Sequence, residues 1–228
     1  MKKYITKEEF QIKRTKPEFI EWVDNKFVEI GRTKEGKKAV RFQTGILSEF
    51  VSEAYALRQL LPYIDDDVST YECIIGNQNY DVLIDRHDKD CSNDKIEITE
   101  AHEGEVEHHR MILLEEKGHV SASGEIKKSG TKKTGLELED VSMAHNLNDL
   151  LQQNLELISD AFKKKNEKPY DENTSLLIMF KDYMFRDEEH FGYVERLKEF
   201  IESEICTKND KFKDIYVLGW SGKILVKC

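Results

Sequence analysis

Nowhere in this 228-residue chain do about 18 apolar residues run together, the length a membrane-spanning helix needs. No membrane span and no membrane partner are therefore expected. The opening MKKYITKEEFQIKR starts basic but has no apolar segment behind it, so it does not read as a secretory leader. There is no GxxxxGK[ST] loop, no GxGxxG and no GxSxG, which removes the usual signatures of nucleotide-loop and serine-hydrolase chemistry. The four cysteines, Cys73, Cys91, Cys206 and Cys228, form no CxxC pair and no zinc knuckle. A reduced, cytoplasmic chain without structural zinc is the simplest expectation. Positive charge is also short. Lys and Arg number 35 against 45 Asp and Glu, a formal net charge of −10, which argues against a general nucleic-acid coat protein.

What is present is enough for one substantial core. Hydrophobic residues make up 39% and charged residues 35%, so the chain should fold beneath a heavily solvated surface. The charge is uneven. Residues 31–41 hold five basic residues and one acidic, and residues 118–134 hold four lysines and one glutamate. Two such segments on an acidic body read either as solvated loops or as grips on a phosphate backbone.

Periodicity divides the chain. KFVEIGR and KAVRF flank Lys34-Glu35-Gly36 and suggest an N-terminal hairpin within 19–45, which sets residues 1–45 apart from a core at 46–228. Leu47, Phe50, Val51, Ala54, Leu57 and Leu61 recur at helical spacing over 46–62, and Pro62 with Asp65-Asp66-Asp67 ends that helix. Short strands are expected at 70–75, 80–85 and 95–99, with a turn at Gly76–Asn79 and a polar loop from His87 to Asn93. A helix over 103–117 stops at Gly118, and the polar stretch 118–145 reads as an inserted hairpin or loop. Leu147, Leu150, Leu151, Leu155, Ile158 and Phe162 mark a helix over 146–166. The unalternating TSLLIMF at 174–180 predicts a strand covered on both faces. A helix at 188–205 and a terminal hairpin of 214–219 and 223–227 complete an α/β chain with a mixed sheet flanked by helices.

Alternation along the strands supplies the candidate chemistry. Asp81, Leu83 and Asp85 share one face of their strand, and Lys95, Glu97 and Thr99 share one face of theirs. If the two strands are neighbours, Asp81 and Glu97 converge. Two carboxylates held together repel without a cation, and magnesium favours such oxygen ligands while retaining several waters. Both acids sit among apolar neighbours, where charge is disfavoured unless it is used. The alternative is that they are ordinary half-exposed face residues. The string HEGEVEHH (His102 to His109) is not HExxH, because position 106 is Val, and adjacent His108 and His109 point about 100° apart on a helix. His102 is either a surface histidine or a phosphate contact beside the third strand. Trp22, Tyr55, Tyr183 and Trp220 read as core or groove aromatics.

The order helix, three-strand meander, helix and further strand, with Asp81 in YDVLID and Glu97 in IEIT, resembles the PD-(D/E)XK nuclease superfamily over roughly 46–180. The resemblance implies a restriction-endonuclease-like αβββαβ core with a C-terminal αββ extension. It implies a Mg2+ (or Mn2+) ion held by Asp81, Glu97, the carbonyl of Ile98 and an acid on the first helix, Glu53 or else Glu49. The implied activity is hydrolysis of DNA phosphodiester bonds, in a restriction, repair or phage-defence setting, with DNA as partner and a homodimer left open. One departure is plain: Thr99 stands where the family has its lysine. Lys95, on the same strand face as Glu97, is the expected stand-in, with Thr99 positioning water. The alternative is a non-catalytic interaction or nucleic-acid-binding protein on a degenerate nuclease fold.

Overall fold

The structure, a computed structural model, describes residues 4–64, 68–86, 93–121, 124–131, 135–141, 146–182 and 191–228. The acidic run 65–67, loop residues 87–92, the first residues of the expected helix 188–205 and Tyr183 lie outside them.

The expected N-terminal hairpin is helical instead. A short helix α1 (Lys7–Phe10) and a two-residue strand β1 (Arg14–Thr15) lead into α2 (Lys16–Gly31) and α3 (Lys34–Arg41). The capping chemistry explains the correction. Pro17 stands in the first turn of α2, where its missing N–H is harmless. The Glu18 carboxylate accepts from the Thr15 backbone N–H at 2.9 Å and from its hydroxyl at 2.7 Å. Buried Phe19, Val23 and Ile30 then recur at helical spacing, which outweighs the short alternation in KFVEI. The supposed turn at Lys34–Gly36 is the first turn of α3, whose cap Thr33 accepts from the Gly36 N–H at 2.9 Å.

A continuous helical run follows: α4 (Leu47–Glu49), a π-helical turn (Phe50–Ala54), α5 (Tyr55–Leu60) and a 3-10 turn (Leu61–Tyr63). The strands β2 (Thr70–Cys73), β3 (Val82–Asp85) and β4 (Asp94–Ala101) form the meander. Next come α6 (Gly104–Lys117), a separate two-stranded sheet of β5 (Glu125–Thr131) and β6 (Gly135–Val141), and α7 (Leu147–Asn166). Strand β7 (Thr174–Phe180), helix α8 (Phe191–Glu204) and strands β8 (Ile215–Gly219) and β9 (Leu225–Lys227) end the chain. The main sheet has the order β1-β2-β3-β4-β7-β8-β9. Its pairs are antiparallel from β1 to β4, parallel from β4 through β7 to β8, and antiparallel at β9.

Strand β7 is interior and all seven of its residues are buried. Leu177 and Met179 join one core with Leu47, Phe50, Leu57 and Ile98. Leu176, Ile178 and Phe180 join the other with Leu151, Ile158, Phe162 and Ile201. Helices α2 and α4–α5 thus cover one face and α7 and α8 the other, which is why the strand needs no alternation. Among the described residues, no helix is long and apolar enough to cross a membrane.

The cysteine expectation is corrected as well. Cys206, in a 3-10 turn after α8, and Cys228, beyond β9, form a disulfide with Cα atoms 5.4 Å apart. Their separation of 22 residues hid a proximity that the terminal strands create. Cys73 is buried and has no disulfide partner among the described residues.

The double cover sets a test. Leu177→Ala should lower unfolding free energy by about 2–5 kcal/mol in a denaturant titration, as large-to-small core changes do. Val28→Ala, at a position 58% exposed, should change it by no more than about 0.5 kcal/mol. A wild-type midpoint for Leu177→Ala would contradict the burial of β7.

Candidate active site

The geometry begins with β4 changing partners. Its ladder with β3 pairs Ile84 with Asp94, Leu83 with Lys95 and Val82 with Ile96. One further bond, from the Asp81 N–H to the Ile96 carbonyl at 2.9 Å, closes it. Strand β4 then continues along β7 alone, through Ala101 beside Phe180. Among the described residues, the β3-side edge of β4 beyond Asp81 is therefore open. The Ile98 N–H on that edge donates to Asp81 Oδ2 at 2.7 Å. In an extended strand the carbonyl of a residue points to the same side as its N–H, so the Ile98 carbonyl faces the same opening.

Register sets Asp81 across from Glu97, on the face away from the Val82, Ile84, Ile96 and Ile98 core. Glu97 is buried. Its Oε1 is paired with the Lys165 ammonium from the C-terminal end of α7 and lies 3.4 Å from the Tyr170 hydroxyl. Glu53 arrives from the opposite face, on the π-helical turn, a helix defect that recurs at functional positions. Ser52, Glu53, Asp81, Ile98, Thr99 and Lys165 line one cleft of about 330 Å³, with Gln43, Glu100 and His102 at its margin.

Two of the acids in this cleft bind their protons more tightly than usual. Burial, then the nearby Asp81, Glu49 and Glu97 carboxylates, push Glu53 up to about 9, against the pull of Lys165. Burial and then Glu97 raise Asp81 to about 6, opposed by the Ile98 N–H, Lys165 and Lys168. Glu49 Oε2, Glu53 Oε2 and Glu100 Oε1 are buried and have no hydrogen-bond partner among the described residues. These oxygen donors suit a hard divalent ion. Among the described residues no group of three or more His, Cys, Asp or Glu side chains is arranged to hold an ion by itself. That is compatible with magnesium, which usually takes one or two carboxylates and keeps several waters.

Asp81, Glu97, Ile98, Thr99 and Glu53 are thus brought together, with Glu49 electrostatically coupled to Glu53. Lys95 is not among them. Its ammonium pairs with Asp171 and lies 5.0 Å from the Tyr80 ring centre, outside the cleft wall. His102 stands in that wall, its Nε2 2.9 Å from Glu100 Oε2. The amine in the cleft is Lys165, which reading by motif missed. A signal existed: Ile158, Phe162 and Lys165 follow one another on the inward stripe of α7. Lys163 and Lys164 of the same run are exposed, whereas Lys165 is half-buried. The two basic segments meet on α6. Lys38 and Arg41 pair with Glu115 at 3.0 and 2.7 Å, and Lys128 pairs with Glu105 at 2.6 Å.

The raised carboxyls have a sign that can be checked. In the unfolded chain Glu53 and Asp81 ionise near 4.5 and 3.8, but in the folded chain only near 9 and 6. The folded state therefore binds the protons more tightly, and the stability they contribute is present at low pH and lost as pH rises. Without divalent ions, the melting temperature should fall between about pH 5 and pH 8, and Glu53→Gln should flatten that fall and raise the value at pH 8. A fall of the same slope in Glu53→Gln would mean that Glu53 is solvated.

Compared with known proteins, the chain matches no family model, no curated protein and no solved structure.

Proposed function

We propose that the chain is a metal-dependent nuclease of the PD-(D/E)XK type, hydrolysing DNA phosphodiester bonds with Mg2+ or Mn2+. The observation that carries this reading is the fork between β3 and β4. There two acids on adjacent strands face each other beside an open backbone edge, and a half-buried amine reaches one of them. The element order supports it: a helix before the meander, a helical crossover after it, then an interior strand parallel to β4.

On this reading Asp81, Glu53 and the Ile98 carbonyl hold the ion, with Glu97 beside them. A bound divalent ion lowers the pKa of water and offsets negative charge on the phosphate. The chain's own groups do the rest. The Ile98 N–H fixes the Asp81 carboxylate. Glu97 holds the Lys165 ammonium toward the cleft, and the Tyr170 hydroxyl steadies the same carboxylate oxygen. Lys165 then supplies, from a helix, the positive charge that the family pattern puts at the position of Thr99, and Thr99 offers a hydroxyl to orient water. Binding without cutting is the second reading. It is favoured by Glu97 being already engaged by Lys165 and Tyr170, so that an ion must share that carboxylate.

A cleavage screen on plasmid and single-stranded DNA with magnesium or manganese separates the two. Asp81→Ala and Glu97→Ala should abolish cleavage. Lys165→Ala should slow it by about 10²–10⁴-fold, the usual contribution of a positioned proton-handling or orienting group. That variant should keep the rise in melting temperature that a folded-state ligand produces. Lys95→Ala should stay near the wild-type rate, because its partner Asp171 lies outside the cleft wall. Equal losses for Lys95→Ala and Lys165→Ala would refute the role of Lys165. A wild-type protein that binds the ions and cuts nothing would favour binding alone.

A further inference from the structure

A second cavity, of about 370 Å³, opens beside the acidic cleft and shares Gln43, Glu100 and His102 with it. Its character is different. Phe42, His108, Met111 and Trp220 form its walls, and Arg41 and Lys181 stand among them. The Phe42 and His108 rings meet edge to face, with centres 6.2 Å apart. Tyr55 stacks on one side of Trp220 at 5.5 Å and 16°, which fixes the indole while leaving it half-buried at the cavity wall. At the seam between the cavities, Glu100 Oε1 is a buried acceptor with no hydrogen-bond partner among the described residues. Gln43, the one non-glycine residue with a positive φ among the described residues, forms the shared lip at φ 48°.

We infer that this second cavity is a nucleobase pocket, and that the substrate is nucleic acid with an unpaired nucleotide next to the scissile phosphate. The inference rests on the proposed nuclease reading for what occupies the first cleft. Flat aromatic walls take a base by stacking, and the volume lies in the ~300–1,000 Å³ range of small-molecule pockets. Glu100 supplies an acceptor for an N–H on the edge of the base. A base inside a duplex has both faces covered and its edge paired, so a concave pocket receives only one that is out of the stack.

Electrostatics points the same way. The chain carries a formal net charge of −10. Lys165 in the first cleft, Arg41 and Lys181 in the second, Lys38 of α3 and Lys128 of the β5–β6 hairpin each already pair with a glutamate. Phosphate contacts and counterion release, which dominate duplex binding, are therefore weakly provided. Affinity must come from stacking, which is less sensitive to salt.

The test uses the full chain carrying Asp81→Asn, so that binding is read without cleavage. The probe is a short single-stranded oligodeoxynucleotide containing 2-aminopurine, alongside its duplex. Tighter binding of the single strand, quenching of the 2-aminopurine and a shallow salt dependence are expected. Phe42→Ala and Trp220→Ala should each weaken single-strand binding by roughly 5- to 150-fold, the equivalent of ~1–3 kcal/mol per stacked base. Phe42→Leu, which keeps apolar bulk but loses the ring, should weaken it too while melting like the parent. Equal affinity for duplex and single strand, or wild-type affinity in Phe42→Leu and Trp220→Ala, would overturn the pocket. Cleavage by the chain with native Asp81 is measured in parallel. Cleavage that ignores these substitutions would leave the nuclease reading standing and remove the pocket. Ring-dependent binding without any cleavage would keep the pocket and remove the nuclease reading.

Discussion

Strand β4 serves two neighbours over different parts of its length, and the site depends on that mismatch. Its bond with β3 ends at Asp81 and Ile96, whereas its bond with β7 runs on to Ala101. A buried strand cannot leave backbone donors unpaired without a penalty. At the fork, the first open donor, the Ile98 N–H, is satisfied by the Asp81 carboxylate. The same bond that completes the backbone thus locks the acid in place. The extension of β4 is possible only because β7, buried on both faces, supports it from the other side.

The second constraint is electrostatic. Burial, and then the neighbouring carboxylates, raise the proton affinity of Glu53 and Asp81, and Lys165 opposes that rise. Helix α7 is what brings the amine. Its apolar stripe seats Leu151, Leu155, Ile158 and Phe162 in the core over the sheet, and the next residue on the stripe is Lys165. Packing and charge placement are therefore one event: a rotation of α7 that withdrew Lys165 would also expose the stripe.

Helix α6 plays the corresponding part for the neighbouring cavity. Glu115 near its C-terminal end holds Lys38 and Arg41 of α3, and Glu105 in its first turn holds Lys128 of β5. Arg110, buried in the same helix, donates to the carbonyls of Ser121 and Gly124 and anchors the start of the β5–β6 hairpin. The hairpin and α3 thus both lean on one helix, and His108 and Met111 on that helix help wall the aromatic pocket.

Much of this architecture is local and so was legible in the residues. The run TSLLIMF demanded a doubly covered strand, and the stripe of α7 followed from i, i+3, i+4 spacing. Asp81 and Glu97 were assigned to facing strand sides by alternation alone. The N-terminal helices were legible too, in Pro17, Glu18 and Thr33, but short alternation in KFVEI masked them. Other features belong to the tertiary structure. Lys165 lies 68 residues from Glu97 in sequence and Asp171 lies 76 from Lys95, so which lysine enters the cleft is decided by the crossover between β4 and β7. The pairing of Cys206 with Cys228 is likewise made by the terminal strands. Periodicity determines which face a side chain takes on its own element; sheet order and helix packing determine what that face meets, because those contacts join segments with no local coupling.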